Sequence, residues 1–263
     1  MRRSFAVLAA AAALGCVDLE PGALPQRTGA ITRASFGGLD PGAKIQTSLH
    51  FEVRAYGADR AQAVSEMAER SYQRIMQDTG LYSFMPREPY PIVLYAGKEE
   101  FLRKTGMPEW SAGAAVGNSI YSYESRGLPG VLAHEMTHLV FNEYMGRSTT
   151  EHRWINEGLA VYEEYQALQL PLPSLPSGRK PLPFAQMVNT APLGEERSVV
   201  DLWYAQALSV VRFLIERGGR MGLGQLLSEL RSGRSLDDAI RSSFSGVWTD
   251  FAALEKAWLS SGP

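Results

Sequence analysis

The spacing of hydrophobic and polar residues changes along the chain and divides it into two parts. In the first part, three short segments, 45–56, 90–97 and 113–124, have the alternating or short apolar pattern that predicts strands. Helical spacing at 58–80 and around 98–106 predicts two helices among these strands. The first part is therefore expected to contain a small mixed sheet with helices.

The second part has helical spacing only. Four segments with helical periodicity follow Val199, and none of them alternates as a strand would. Between the two parts, residues 170–183 carry five of the chain's 15 prolines, which excludes a regular helix or a central strand there. We expect an α+β fold: a small N-terminal mixed sheet with helices, followed by an all-helical C-terminal part.

The most strongly apolar helical pattern lies where the two parts meet. The run "VLAHEMTHLVFNEYMG" ends at Gly146, a natural helix stop, and a second apolar helical segment begins at Trp154. The short loop between them allows the two helices to be antiparallel. Trp154, Tyr162 and Tyr165 recur at helical spacing, so we expect them to pack in the core rather than to bind a ligand.

The first residues carry the pattern of an export signal. Arg2 and Arg3 precede ten apolar residues, Phe5 to Leu14, a run too short to span a bilayer. Cys16 is the only cysteine, and the sequence "ALGC" that ends with it resembles the lipobox of bacterial lipoproteins. The alternative is a chance cysteine in an ordinary secretory signal. A lone cysteine in an exported chain has no disulfide partner, which favours lipidation.

This N-terminus sets the expected boundaries and location. Residues 1–15 are predicted to be a signal peptide, and residues 16–43 a lipidated cysteine followed by a flexible tether rich in Gly and Pro. Acyl chains on the cysteine would anchor the protein in a membrane. Val17 stands where lipoproteins retained at the inner membrane usually carry Asp. The resemblance therefore implies a cell-envelope lipoprotein, at the outer membrane if the organism has two membranes.

Charge excludes one class of partner. The chain has 26 basic and 28 acidic residues, and no cluster of basic residues occurs beyond the first three positions. We therefore expect no nucleic-acid binding. Removal of the signal leaves 26 − 2 = 24 basic residues against 28 acidic ones, a formal charge of −4. No segment after the signal reaches the roughly 18 consecutive apolar residues that a membrane helix needs.

Two histidines and a glutamate interrupt the apolar helix with a spacing that suits a metal. His134 and His138 are four residues apart, so they share one helix face and their imidazoles can bind one ion. Glu135 projects to the side, where it can reach a water on the metal without binding the metal itself. A chance match is the alternative, because short motifs produce false positives.

A third candidate ligand favours a working site. Glu157 lies 19 positions after His138, at the start of the second apolar helix, and Gly158 permits a close approach of the helices. Two imidazoles, one carboxylate and one open position are the pattern of a catalytic zinc ion rather than a structural one. In such a site one zinc ion lowers the pKa of a water, and Glu135 takes the proton as general base.

These residues carry a family resemblance. The motif H-E-x-x-H, eighteen intervening residues and then Glu157 within "WINEGLA" resemble the gluzincin zinc metallopeptidases. The similarity is closer to the bacterial peptidase MA-like families, which are related to the aminopeptidase N catalytic domain. It extends from about residue 45 to 260. It implies one zinc ion held by His134, His138 and Glu157, with Glu135 as the catalytic base of peptide-bond hydrolysis.

The resemblance also implies an architecture. It suggests a thermolysin-like zincin domain over residues 44–263, with a sheet plus the active-site helix in 44–146 and a helical part in 147–263. One feature differs from the aminopeptidase N pattern. The segment "GAAVGNSIYSY" lacks the Met-Glu-Asn that captures a free amine there, so a metalloendopeptidase is favoured over an aminopeptidase. The strand still suits an extended peptide that adds to a sheet edge.

The sequence also offers candidates for the rest of the site. Related gluzincins use a tyrosine from the helical part to stabilise the oxyanion, and Tyr204 is the candidate here, with a core position beside Trp203 as the alternative. His152 is a weaker candidate and is expected to be exposed, and His50 is expected at a surface or edge. Ligand histidines also need acceptors for their other N–H groups. The possible acceptors are Asn142, Glu143, Asn156, Glu164 and Asp201.

Three functions are compatible with these features. The first is an active zinc peptidase in the cell envelope that cleaves a peptide or protein. The second is a non-catalytic, metal-containing scaffold or chaperone lipoprotein of the envelope, although the presence of Glu135 favours catalysis. The third uses the same hydrolytic groups on a cell-wall peptide.

Overall fold

The computed structural model describes residues 36–146, 149–176, 178–190 and 196–262. Its strands are β1 Ala43–Thr47, β2 Phe51–Tyr56, β3 Tyr90–Tyr95, β4 Gly113–Val116 and β5 Ser119–Tyr123. They form one sheet in the order β1-β2-β3-β5-β4. The three inner strands are parallel, and each edge strand is antiparallel to its neighbour. The predicted mixed sheet is confirmed.

Helices make up the rest of the regular structure in the described residues. They are α1 Ala58–Thr79, α2 Lys98–Thr105, α3 Leu128–Met145, α4 Arg153–Leu168, α5 Phe184–Asn189, α6 Arg197–Phe213, α7 Gly219–Arg231, α8 Leu236–Ser243 and α9 Phe251–Ser260. A 3-10 turn, Thr150–His152, precedes α4, and a π-helical turn, Leu214–Gly218, joins α6 to α7. The second part is helical, as its periodicity predicts.

Two segments predicted to be single strands are hairpins instead. In the segment 113–124, β4 and β5 meet at Gly117, whose φ of 64° is the left-handed conformation that a tight two-residue turn requires. The segment 45–56 is broken between β1 and β2. Leu49, which the alternation places within a strand, lies in the turn and is 70% exposed. Both breaks shorten the strands and leave β4 at a sheet edge.

The two faces of the sheet pack against different helices. Ile92 and Ile120 belong to the main core together with residues of α1 and α3. Val93 and Tyr95 point to the other face and pack with Phe101 of α2. The period of two along a strand explains this division. The larger core lies on the face that carries α3.

The residues before β1 are part of the folded domain. Residues 36–42 were predicted to belong to the tether, yet Phe36 packs against the smaller core and the Tyr95 hydroxyl donates to the carbonyl of Gly37 at 2.5 Å. The folded domain therefore includes residues from 36 rather than from 44. The predicted signal peptide, Cys16 and the rest of the tether lie outside the described residues.

One helical run is longer and more apolar than expected. Among the described residues, Arg197–Arg231 is long and apolar enough to cross a membrane, although the sequence pattern predicts no such segment after the signal. However, 50% of its most apolar window is buried inside the protein. Trp203, Ala207 and Val211 are fully buried in the main core. This packing accounts for the apolar residues of the run.

Candidate metal centre

Helix α3 packs against the sheet on one side and α4 on the other, so the polar side chains in its middle turns are buried. A proline in its first turn and Gly146 at its end, with a φ of 67°, define the helix as the sequence predicts. His134, Glu135 and His138 are at most 2% exposed. Three ionisable side chains on one buried helix need charge partners or a cation.

The structure brings the three predicted ligand residues together. His134 and His138 lie one turn apart on α3, and Glu157 approaches them from the first turns of α4. One ligand atom from each residue lies within 4.8 Å of the others. Ligands around a tetrahedral zinc ion with bonds of ~2.1 Å are roughly 3.4 Å apart, so small side-chain rotations would suffice to close the set. The group matches the spacing that the motif predicts.

Both imidazoles are oriented by acceptors on α4. The Nδ1 of His134 lies 3.0 Å from a carboxylate oxygen of Glu164, and the Nδ1 of His138 lies 3.0 Å from the amide oxygen of Asn156. An acceptor beside Nδ1 places the proton there and leaves the Nε2 lone pair free to bind a metal. Of the five acceptors that the sequence allows, these two occupy the required positions.

Another of the five candidate acceptors, Glu143, forms hydrogen bonds away from the two histidines. Glu143 accepts from the hydroxyl of Tyr90 at 2.7 Å and from the backbone N–H of Arg87 at 2.8 Å. It therefore holds the loop before β3 to the end of α3.

Three atoms of α3 in the site, on His134, Glu135 and His138, lack hydrogen bonds. Within the described residues, the Nε2 atoms of His134 and His138 and the Oε1 atom of Glu135 are buried without a hydrogen-bond partner. The nearest carboxylate oxygen of Glu157 is 3.8 Å from the Nε2 of His138, beyond hydrogen-bonding range. Leaving such atoms unsatisfied costs about 1–3 kcal/mol each. A cation bound by the two Nε2 atoms and Glu157 would satisfy them, so the donor set fits a zinc ion.

The electrostatics of the site also favour a cation. Burial acts to lower the pKa of His134, but the hydrogen bond and charge of Glu164, with the charges of Glu135 and Glu157, raise it to about 9. The same carboxylates that hold a proton on this imidazole would attract a metal ion. Binding of the ion then requires that the proton leave, because only a neutral imidazole is a ligand.

Glu135 lies beneath the edge strand β4. A Cβ atom added at Gly113 would be 3.4 Å from the Cγ of Glu135 and 2.4 Å from a methyl group of Val131. Only glycine permits this approach of strand and helix. The edge strand β4 therefore passes close to the side chain of Glu135 at Gly113, a residue that the sequence did not single out.

Helix α6 supports α4 beside Glu157. A Cβ atom added at Gly158 would lie 2.5 Å from the carbonyl oxygen of Ala207, so the two helices are in backbone contact there. Tyr204 lies one turn before Ala207 on α6 and packs edge-to-face against Trp203, with ring centroids 5.2 Å apart. Tyr204 is thus on the helix that contacts α4 next to Glu157, and its role in stabilising an oxyanion stays a prediction.

Two other histidines differ from expectation. His152 is buried rather than exposed, because the 3-10 turn that contains it packs against α5. His50 is also buried, and its Nδ1 lies 2.6 Å from a carboxylate oxygen of Glu69. Within the described residues, the metal cluster does not include His50.

Trp154 is fully buried and packs against Phe251, which agrees with a packing role.

Comparisons with known proteins agree with this geometry. The family model of the peptidase MA superfamily matches residues 67–261, which is more than half of the chain. The matched range includes α3, α4 and α6 and therefore every residue of the cluster. No curated protein matches the chain.

Proposed function

The chain belongs to the peptidase MA superfamily, and on that premise we propose that it is a zinc-dependent peptidase of the gluzincin type with a thermolysin-like active site. The observation that carries the proposal is the pair of buried Nε2 atoms without hydrogen-bond partners, directed at the same point as Glu157. His134, His138 and Glu157 would hold one zinc ion. When bound, the ion would supply Lewis-acid chemistry, which acidifies a water and polarises a peptide carbonyl.

Glu135 is proposed to move the proton. Its carboxylate is buried, has an oxygen without a partner, and lies on the turn of α3 that also carries His134. It would accept a proton from the attacking water and deliver it to the amine nitrogen of the leaving group. Tyr204 is proposed to donate a hydrogen bond to the developing oxyanion from the side of α6.

The free edge of β4 is proposed to hold the substrate. An extended peptide that pairs with this edge would pass close to Glu135, because Gly113 of β4 leaves so little room above that side chain that an added Cβ atom would touch it. The segment 113–123 contains no acidic residue that could bind a free amine. We therefore propose endopeptidase rather than aminopeptidase action, since main-chain pairing at an edge does not require a chain end.

We also propose that the protein acts in the cell envelope as a lipoprotein. The basis is the sequence "MRRSFAVLAAAAALGC", in which Cys16 stands at the position of the modified cysteine. Replacement of Cys16 by Ser should move the protein from the membrane fraction to the soluble fraction. An unchanged distribution would contradict lipid anchoring without affecting the peptidase proposal.

The peptidase proposal is tested by metal content and cleavage. Purified wild-type protein should contain about one zinc ion per chain and cleave members of a peptide library. Glu135→Gln should retain the zinc and lose about 10²- to 10⁴-fold in turnover. Glu99→Gln, which removes an exposed carboxylate on α2, serves as the matched control and should cleave normally.

Two results would overturn this proposal. Wild type without stoichiometric metal would exclude the zinc site, and equal cleavage by Glu135→Gln would exclude the base. Stoichiometric zinc without cleavage of any peptide would favour the non-catalytic scaffold instead.

A further inference from the structure

Helix α4 contributes more to the metal centre than its one ligand. It carries Glu157 and also both acceptors that orient the imidazoles, Asn156 and Glu164. Glu157 and Glu164 are seven residues apart, which is two helical turns, so they share the face toward α3. The position of α4 along its own axis therefore determines both where the third ligand, Glu157, lies and how the two histidines are oriented.

One side chain outside the metal centre holds α4 at two points. Arg74 of α1 donates from Nε to a carboxylate oxygen of Glu163 at 2.8 Å and from Nη2 to the backbone carbonyl of the same residue at 3.3 Å. Glu163 is 0% exposed and lies on a different face of α4 from Glu164. Because the backbone carbonyl belongs to the helix itself, this contact restrains α4 and not only a side chain.

Further charges surround this contact. Asp78, one turn after Arg74 on α1, pairs with Arg220 of α7 at 2.7 Å. Burial, together with the nearby Asp78, raises the pKa of Glu163 to about 8 although Arg74 opposes this. Arg74 can donate to Glu163 in either protonation state. The contact thus ties α4 to α1 in a region where water cannot replace a lost partner.

The geometry makes the metal centre sensitive to small movements of α4. The contacts from Asn156 and Glu164 to the histidines are both 3.0 Å long. A displacement of α4 that lengthened such contacts by about 1 Å would take them out of hydrogen-bonding range. Gly158 fixes the distance of α4 from α6 by backbone contact, but it forms no directional bond along the axis.

We propose that Arg74 is a positioning residue of the metal centre: through Glu163 it fixes the axial position of α4 and so aligns Glu157, Asn156 and Glu164 with the two histidines. The proposal rests on the proposed zinc-peptidase function. Arg74 does not belong to the metal cluster and acts only through α4.

The test compares two arginines of α1 in the full-length protein. Arg74→Gln should weaken zinc binding about tenfold in competition with a chelator, at the lower end of the range for residues that orient ligands. It should also change the visible absorption spectrum of the cobalt-substituted protein. Arg60→Gln is the matched control, because Arg60 forms a similar two-point contact with Glu124 but does not touch α4. It should leave both measurements unchanged.

A double variant separates positioning from stability. In Arg74→Met/Glu163→Met no buried charge is left unpaired, so the free energy of unfolding should recover. Zinc affinity should stay weakened, because the bond to the helix backbone is still missing. Recovery of zinc affinity together with stability would overturn the proposal, as would wild-type affinity in Arg74→Gln. Wild type that binds no zinc would instead overturn the proposed function.

Discussion

Two buried histidines in the described part of the chain, His50 and His134, have a carboxylate beside Nδ1, and they differ in what surrounds the other ring nitrogen. His50 lies 2.6 Å from Glu69 and stacks on Tyr72, with ring centroids 3.9 Å apart. His134 lies 3.0 Å from Glu164, and its Nε2 is buried without a hydrogen-bond partner. The first pair closes a turn, whereas the second leaves a metal-binding atom directed at two further ligand residues.

This difference shows how a ligand histidine is recognised. A carboxylate on Nδ1 alone does not identify one, since both pairs have it. The backbone N–H of His50 also donates to Glu69 at 2.9 Å, so that carboxylate stabilises the chain between β1 and β2. Around His134, by contrast, ligand atoms of His134, His138 and Glu157 lie within 4.8 Å of one another, an arrangement that suits a bound cation.

Replacement of each histidine by alanine should give the largest difference between the two pairs. His134→Ala removes one of the three ligands, so zinc content should fall from about one ion per chain to nearly none. His50→Ala should retain full zinc content and lose about 1–3 kcal/mol of unfolding free energy, because Glu69 loses its partner. Metal analysis after dialysis, with denaturant unfolding, measures both effects. Loss of zinc in His50→Ala would contradict the structural role assigned to His50.

Replacement of the two carboxylates should give a smaller difference, in zinc affinity rather than in zinc content. Glu164→Gln keeps an acceptor for His134 but removes its charge, so zinc affinity should fall about 10-fold, within the 10–100-fold range for such partners. Glu69→Gln makes the same chemical change beside His50 and should leave zinc affinity unchanged. Competition with a zinc chelator measures both. Equal affinities in the two variants would mean that the Glu164 charge does not tune the metal.

The site was more predictable than its surroundings because its main signal is local. His134 and His138 are four residues apart on one helix, so their proximity follows from helix geometry without knowledge of the fold. Glu157 depends on the return of α4 against α3, which the short connecting loop and the two apolar helices indicate. Which acceptor serves which imidazole depends on the axial register of α4, and packing between helices decides that register.

The errors also have physical reasons. Strand alternation places His50 opposite the apolar residues, and His152 lies between Glu151 and Arg153, so both were expected at the surface. Contacts from helices bury both side chains. The break between β4 and β5 had a local signal, because the Gly117–Asn118 pair between two apolar segments is typical of a hairpin turn. The contact between Arg74 and Glu163 had none, since the two residues are far apart in the chain and each alone resembles a surface charge.

The two pairs should also differ in how their contribution to stability depends on pH, and this is the smallest of the expected effects. Burial acts to raise the pKa of Glu69, but hydrogen bonds from His50 and Ser48 outweigh it and hold the pKa below its ordinary value of 4.5. A lowered carboxyl pKa contributes stability above pH 4.5, and this is lost as the pH falls through the native pKa. The pKa of His134 is raised from 6.5 to about 9, so its contribution is complete below pH 6.5 and is lost as the pH rises through about 9.

Metal-free protein in a chelator should therefore show opposite pH windows for two variants. The unfolding free energy of wild type should exceed that of Glu69→Gln by about 1–2 kcal/mol at neutral pH, and the difference should vanish in acid. The difference between wild type and Glu164→Gln should instead be largest below pH 6.5 and vanish above about pH 9. Glu163 is present in all three proteins, so its own titration cancels from both differences. Two differences that vanished at the same end of the pH range would mean that the pairs do not differ in the way their geometry indicates.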